Sequence, residues 1–242
     1  MNTRAFNMKK TAIRLLALCL LCCGTAALNA CSSDDDSPNP QPPTAKGTFT
    51  DARDGQQYAY VTYDGLDWMA ENCRYDIGDA VNSSIYLDAD EYESSPASPR
   101  NLARYGRLYT LQGAQTACPE GWRIPTDQDW QRLEQALGMA AGEAAAEGWR
   151  GSIARQMLTL YGEQTDLNLL LGGYYFANTP GVQSGWRHMG VYAYYWTSTP
   201  DEQKDGTFYY VRKLTYSRSE VCRMSMEPTG YKLSVRYVRD AR

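Results

Sequence analysis

From Ser32 to Lys46 the chain has almost nothing apolar: Ser, Asp, Asn and Gln are interspersed with Pro38, Pro40, Pro42 and Pro43. Such a stretch cannot bury side chains against a core, and it favours extended polyproline conformations. It therefore separates what precedes it from everything that can fold after it. Fully extended, these 15 or so residues reach roughly 45 Å at ~3.1 Å per residue. Ahead of it, residues 1–30 carry Lys9, Lys10 and Arg14, an apolar run from Leu15 to Cys23, and small residues from Gly24 to Ala27. That is a secretory signal peptide, too short for a membrane span. The organisation is then 1–30 leader, 31–46 tether and 47–242 folded domain. No fixed-period repeat and no second boundary interrupt the last part.

Within 47–242 the expected order is strands, helices, strands, which makes an α+β domain. Tyr58, Tyr60 and Tyr63 precede Asp64-Gly65, and Leu66, Trp68 and Met69 follow it, the pattern of a β-hairpin. Residues 76–104, with Asp88, Asp90, Glu91 and Glu93, read as a long acidic surface loop. Tyr109–Cys118 reads as a short helix stopped by Pro119-Glu120-Gly121. Thr126 stands at an N-cap position, with Asp127 and Asp129 in the first turn and Trp130, Leu133 and Leu137 at helical spacing. Another helix is expected near 150–161. Beyond Gly162, short β runs at 169–175, 192–198, 207–216 and 233–238 alternate with Gly, Pro, Asn and Asp.

Charge and composition exclude some functions. The formal charge is −4, but four of the 24 basic residues (Arg4, Lys9, Lys10 and Arg14) and no acidic ones lie in the leader, so 20 basic groups face 28 acidic ones beyond it. Nucleic-acid binding, which depends on a basic surface, is not expected. A single histidine, His188, excludes a three-His zinc site. Without a partner Cys or Ser motif, His188 reads as a structural or exposed residue.

Leu28-Asn29-Ala30-Cys31 resembles the lipobox of bacterial lipoproteins, in which the Cys becomes the acylated first residue. The alternative is an ordinary signal cut near Ala30. The resemblance implies a palmitate-type anchor on Cys31 in membrane lipid. Ser32 rather than Asp follows the Cys, so the usual inner-membrane retention signal is missing. Asp34-Asp35-Asp36 is similar to the acidic export signal of Bacteroidota surface lipoproteins. The expected location is the outer membrane, facing the cell exterior; the plain alternative for the acidic run is solvated linker.

Six segments, Asp51–Tyr58, Trp68-Met-Ala-Glu-Asn72, Ala117–Thr126, Leu171-Gly-Gly-Tyr174, Tyr195-Trp-Thr-Ser-Thr199 and Ser234–Asp240, together resemble the Fibrobacter succinogenes major paralogous domain. The match runs in order over nearly all of 47–242. The resemblance implies a C-type lectin-like fold: short helices, a mostly antiparallel set of short strands, long loops, and N- and C-terminal strands that pair. The sequence departs from the family at Tyr237, which stands where the family has a Cys that bridges to Cys118, and at Cys73, where it has Leu. Cys73, Cys118 and Cys222 then allow three pairings. The adjacency that the family implies for the strand before Cys73 favours Cys73–Cys118; the alternative is that all are buried thiols.

Chemistry is sparse. Lectin-type calcium sites need convergent oxygen ligands, and the nearest segments, Glu227-Pro228-Thr229 and Trp196-Thr197-Ser198, lack them. No metal and no cofactor are expected. Arg123–Trp130 is similar to a segment of the formylglycine-generating oxidases, but their copper-binding cysteine pair is missing, since only Cys222 lies near the C-terminus. What remains is aromatic surface. Eight aromatic residues fall within 174–196; strand alternation buries some, and Tyr175, Trp186 and Tyr192 are the candidates to face a ligand. The alternative is that all of them serve packing. The expectation is a non-enzymatic surface binding or adhesion module whose ligand is a glycan or a surface protein. The alternatives are a structural or accessory subunit of a fimbria or polysaccharide-uptake complex, and a degenerate enzyme of the formylglycine-generating type.

Overall fold

The first sheet brings the two ends of the domain together. In this computed structural model, which describes residues 41–87, 98–161, 165–177 and 185–242, β1 (Ala45–Thr50), β2 (Gln57–Tyr63) and β3 (Leu66–Met69) form an antiparallel meander. Asp64 and Gly65 both have positive φ, 45° and 76°. That is the I′ geometry that matches the strand twist and sets the expected hairpin. The C-terminal strand, which is β13 (Val238–Asp240) in chain order, then pairs antiparallel with β3. The leader, Cys31 and the acidic run at 34–36 lie outside the described residues, as do Asp88 and Asp90.

Between these ends the chain adds β4 (Ser83–Ile85), α1 (Ser98–Tyr105), β5 (Arg107–Tyr109), α2 (Leu111–Thr116), α3 (Asp127–Ala136) and α4 (Ala141–Ala145). It continues with β6 (Gly148–Arg150), α5 (Ala154–Met157), β7 (Tyr174–Phe176), β8 (Gly185–Arg187), β9 (Tyr192–Pro200), β10 (Tyr209–Thr215), β11 (Val221–Met226) and β12 (Tyr231–Lys232). A four-stranded sheet runs β6-β11-β10-β9, a three-stranded one β12-β7-β8, and β4 pairs with β5. The fold is α+β, with a few short helices and several small antiparallel sheets.

Three expectations need correction. The loop expected over 76–104 contains β4 and α1, because Ser83 and Ser84, polar residues with no strand pattern, pair with Tyr109 and Leu108. The helix expected near 150–161 shrinks to α5 and a 3₁₀ turn at Thr159–Tyr161. Gly148 and Gly151, with φ of 83° and 63°, punctuate the chain there, and Trp149 and Arg150 join β11 as strand residues. Finally, Cys73, Cys118 and Cys222 are free thiols, so the favoured Cys73–Cys118 bridge is not formed. Burial raises all three thiols, Cys118 to about 12. Cys73 instead receives a 3.4 Å hydrogen bond from the Tyr109 hydroxyl, and Cys118 donates to Trp122 O.

α3 is the helix around which the sheets meet. Thr126 Oγ1 accepts from Asp129 N at 3.0 Å, and Asp129 Oδ2 accepts from Thr126 N at 2.7 Å, a reciprocal capping box. Trp130, fully buried, touches Trp68 of the first sheet edge to face at 4.9 Å and Tyr195 of the four-stranded sheet at 5.8 Å. Thr126→Ala removes one side of the box and is expected to cost ~1 kcal/mol, measured by urea melts; an unchanged midpoint would show that Asp129 alone holds the end.

Two buried ionic groups tie the layers together. Asp127 accepts from Arg212 (2.6 Å) and Arg223 (2.9 Å), while Glu134 accepts from Arg212 (2.7 Å) and Arg150 (2.6 Å), joining α3 to β10, β11 and β6. Burial works against the charged form of Asp127, yet Arg223 and Arg212 hold its carboxyl below the usual carboxylate range. Elsewhere Arg236, 1% exposed, donates to Asn72 Oδ1 (2.6 Å) and to the carbonyls of Met69, Leu167 and Asn168 (2.9, 2.7 and 2.6 Å).

Candidate functional site

The three candidate aromatics separate into two places. β7 lies between β12 and β8, with Lys232 opposite Tyr175 and Tyr175 opposite Trp186. Because strand side chains alternate, Lys232, Tyr175 and Trp186 form one row across the sheet. Tyr174 and Phe176 take the other face, where they pack on Tyr231 at 5.8 and 4.8 Å. The Leu171-Gly-Gly-Tyr174 segment makes this possible. Gly173 has φ of 65°, and a Cβ there would stand 2.2 Å from Arg187 O, so only glycine lets the backbones approach as β7 begins.

Tyr175 and Trp186 meet edge to face at 4.9 Å. Lys232, buried, places Nζ 4.8 Å from the Tyr175 ring and donates to Ala80 O (2.7 Å) and Ser83 O (3.3 Å). Those bonds pin the segment leading into β4 against the sheet. Between them lies a cavity of about 180 Å³, lined by Ala80, Ser83, Ser84, Leu87, Tyr175, Trp186 and Lys232. Two of its residues hold polar atoms without a hydrogen-bond partner among the described residues, Ser84 Oγ and Trp186 Nε1, but both atoms have almost no accessible surface and so lie behind the cavity wall rather than on it. Each carries a desolvation cost of about 1–3 kcal/mol.

Trp186 is one of the three candidates to face a ligand. It sits in β8, half-buried, because pairing with β7 turns its ring onto Tyr175. Tyr192 does not line this cavity. It starts β9 and joins a second aromatic group, 5.1 Å from His188 and 6.1 Å from Tyr194, with Lys213 Nζ 4.5 Å above its ring. Burial, then Lys213 and Arg187, lower the pKa of His188. Trp196 is fully buried and donates from Nε1 to Tyr109 O at 2.7 Å; β9 is the last strand of its sheet rather than a central one, and it gains cover from a parallel bridge between Tyr195 and Ser234.

Ser84 and Lys232 are the residues that sequence reasoning missed. Ser84 lies in a stretch without periodicity, and Lys232 carries no motif; the pairing of β4 with β5 places the first and that of β12 with β7 the second. The paired carboxylates Asp127 and Asp129 are engaged by arginines, Asp129 by Arg123 at 2.5 Å, and Glu227-Pro228-Thr229 forms the turn between β11 and β12. Wider openings exist, one of about 550 Å³ between residues 41–44 and Tyr63, Asp64 and Arg132 of the hairpin and α3. None of the residues lining it carries a buried unpartnered polar atom.

No curated protein and no solved structure matches the chain. The model of the Fibrobacter succinogenes major domain does match, over residues 61–239. That span runs from β2 through β13 and includes the Lys232-Tyr175-Trp186 row, so the chain belongs to the Fibrobacter succinogenes major domain family.

Proposed function

We propose that the protein is a non-catalytic binding or adhesion module of lectin-like kind, anchored through lipid on Cys31 in the outer membrane and facing the cell exterior. In this reading the Tyr175–Trp186 cavity captures a glycan or a surface protein. The observation that carries it is the meeting, at one small cavity, of two aromatic rings set edge to face with the Lys232 side chain beside them. Aromatic faces supply contact area at low entropic cost. The polar stretch ahead of β1, which begins at Ala45 rather than after residue 46, would hold the domain away from the lipid. The outer edge of β1 favours a second reading, a structural subunit of a surface assembly. β1 is mostly exposed and pairs on one side only, and such an edge can accept a strand from a partner.

The test uses the full lipidated chain in detergent, on a glycan array and in crosslinking on intact cells. Capture by the parent and a loss of at least tenfold in Trp186→Ala, with a melting temperature lowered by only a few degrees, are expected. A parent that captures nothing, or a Trp186→Ala variant that captures equally well, would overturn the reading. Labelling by a fatty-acid analogue that persists in Cys31→Ala would remove the anchor.

A further inference from the structure

We infer that the outer face of the four-stranded sheet around Lys213 is a second binding surface, one that takes a carboxylate-bearing sugar ring, a uronate, of a glycan chain. It is separate from the Tyr175–Trp186 cavity, and neither reading depends on the other.

Register builds the surface. Trp149 of β6 stands opposite Cys222 of β11, Cys222 opposite Lys213 of β10, and Lys213 opposite Tyr194 of β9. Residues directly opposite each other share a face, and Tyr192, two residues before Tyr194, shares it too. Farther along the strands the same face carries Val211 and Trp196 into the core; here it emerges, with Trp149, Lys213 and Tyr192 half-buried. Arg212 and Arg223, bound to the acids of α3, take the opposite face.

Lys213 supplies the charge. Its Nζ lies 4.5 Å from the centre of the Tyr192 ring, 5.5 Å from Tyr194 and 5.6 Å from Trp149. It makes no hydrogen bond and no ion pair among the described residues, and it is not one of their sealed polar atoms. Its N–H donors can therefore meet a ligand acceptor, and the rings hold the cation without neutralising it. Burial lowers the His188 pKa, and Lys213 and Arg187 lower it further: the charges that reach this ring, 5.1 Å from Tyr192, are positive. At the other end Arg218 sits 4.9 Å over Trp149, with Glu220 at 3.5 Å as its partner. Beyond the leader the chain has 28 acidic against 20 basic residues, yet exposed charges more than ~8 Å apart are largely screened at physiological salt. The local cations decide what binds.

The rings choose among anions. A carboxylate on a pyranose meets the ammonium while the C–H groups of the sugar lie on Tyr192 or Trp149, whose faces offer contact area. A phosphate or sulfate ion uses the charge and leaves the rings idle, and a neutral sugar leaves the ammonium without a counter-charge. An extended acidic peptide has no strand edge to join beside Tyr192. The carbonyls of Tyr192 and Tyr194 on β9 already accept from Gly173 N and Ser234 N, at 2.8 and 3.1 Å.

The experiment titrates the full chain, purified without a histidine tag, with trimers of galacturonate and of mannuronate. In parallel it uses their methyl esters, which keep the rings and remove the charges. His188 is the only histidine in the sequence, so its imidazole C2–H resonance reports on this face without further assignment. At least one acid trimer should shift that resonance and bind about tenfold more tightly than its ester, the effect of one charge-assisted hydrogen bond. Lys213→Met, which keeps the stem of the side chain, should erase that difference. Tyr192→Leu should weaken the acid trimer several-fold, and both variants should melt within a few degrees of the parent. No binding of either acid trimer, equal binding of acid and ester, or an undiminished difference in Lys213→Met would overturn the inference. A tetraglutamate peptide that binds as tightly as the sugar would overturn it too, since the surface would then read charge alone. If Lys213→Met unfolds the domain, the acid–ester comparison on the parent and Tyr192→Leu decide the matter. Capture at the Tyr175–Trp186 cavity is tested separately by Trp186→Ala and stands or falls without these results.

Discussion

Glu134→Gln should destabilise the domain by about 3–5 kcal/mol, the range for breaking a buried ion pair by neutralising one partner. The size follows from the stoichiometry of the group. Three arginines, Arg150, Arg212 and Arg223, share two buried carboxylates, and the next acid, Glu147, reaches Arg223 only at 3.8 Å from a half-exposed position. Without the charge on Glu134, both Arg150 and the Nε side of Arg212 face a neutral amide in a site with almost no water. Urea unfolding monitored by tryptophan fluorescence measures the loss. Replacing Glu134, Arg150 and Arg212 together with Met or Leu should cost far less, because the desolvation penalty disappears along with the attraction. A Glu134→Gln midpoint equivalent to less than ~1 kcal/mol would mean that water reaches the group.

Arg236→Met is expected to be comparably severe, and for a different reason. Arg236 is held by four neutral acceptors: one amide oxygen and three backbone carbonyls. Removing it leaves those acceptors without their donor at the meeting of the end of β3, the 167–168 segment and the C-terminal strand region. Hydrogen bonds to charged groups contribute about 1.5–3 kcal/mol each, and a stranded buried acceptor costs about 1–3, so a net loss of roughly 3–5 kcal/mol is reasonable. For a domain of this size that lowers Tm by about 6–20 °C. Arg236→Lys should rescue little, since one ammonium cannot reach a fork of four acceptors. Rescue by Lys to within ~1 kcal/mol of the parent, in a thermal melt, would show that charge rather than geometry matters there.

These two groups explain why the frame was legible and the site was not. The hairpin at Asp64-Gly65 and the cap at Thr126 are local: a few adjacent residues determine the backbone and leave a recognisable signature. The family segments serve the same frame. Asn72 of one is the partner of Arg236 in another, Gly173 admits β7, and Trp196 bonds to Tyr109 O. By contrast, the cavity is made by β12, β7 and β8, strands of two or three residues with no alternation long enough to read, and by β4, whose Ser83-Ser84 carries no strand propensity. Trp186 and Tyr175 were legible as a composition of aromatics; their distance from Tyr192 and their closeness to Ser84 and Lys232 depend on pairings across 60 to 150 residues. Arg150 went to a strand rather than a helix for the same reason, because its strand partner Val221 lies 71 residues further along the chain.

The pairing of β13 with β3 also governs when this protein can become a protein. The Arg239–Asp67 contact spans 172 residues, so the first sheet lacks its last strand until those residues have been made. At ~5–20 residues per second, the apolar side of the β2–β3 hairpin waits roughly 10–35 s for its cover. A nascent chain of intermediate length therefore has no stable stopping point, and the high sequence separation of its closing contacts makes the final step slow as well. That delay places the burden of preventing premature association on whatever holds the chain during the wait.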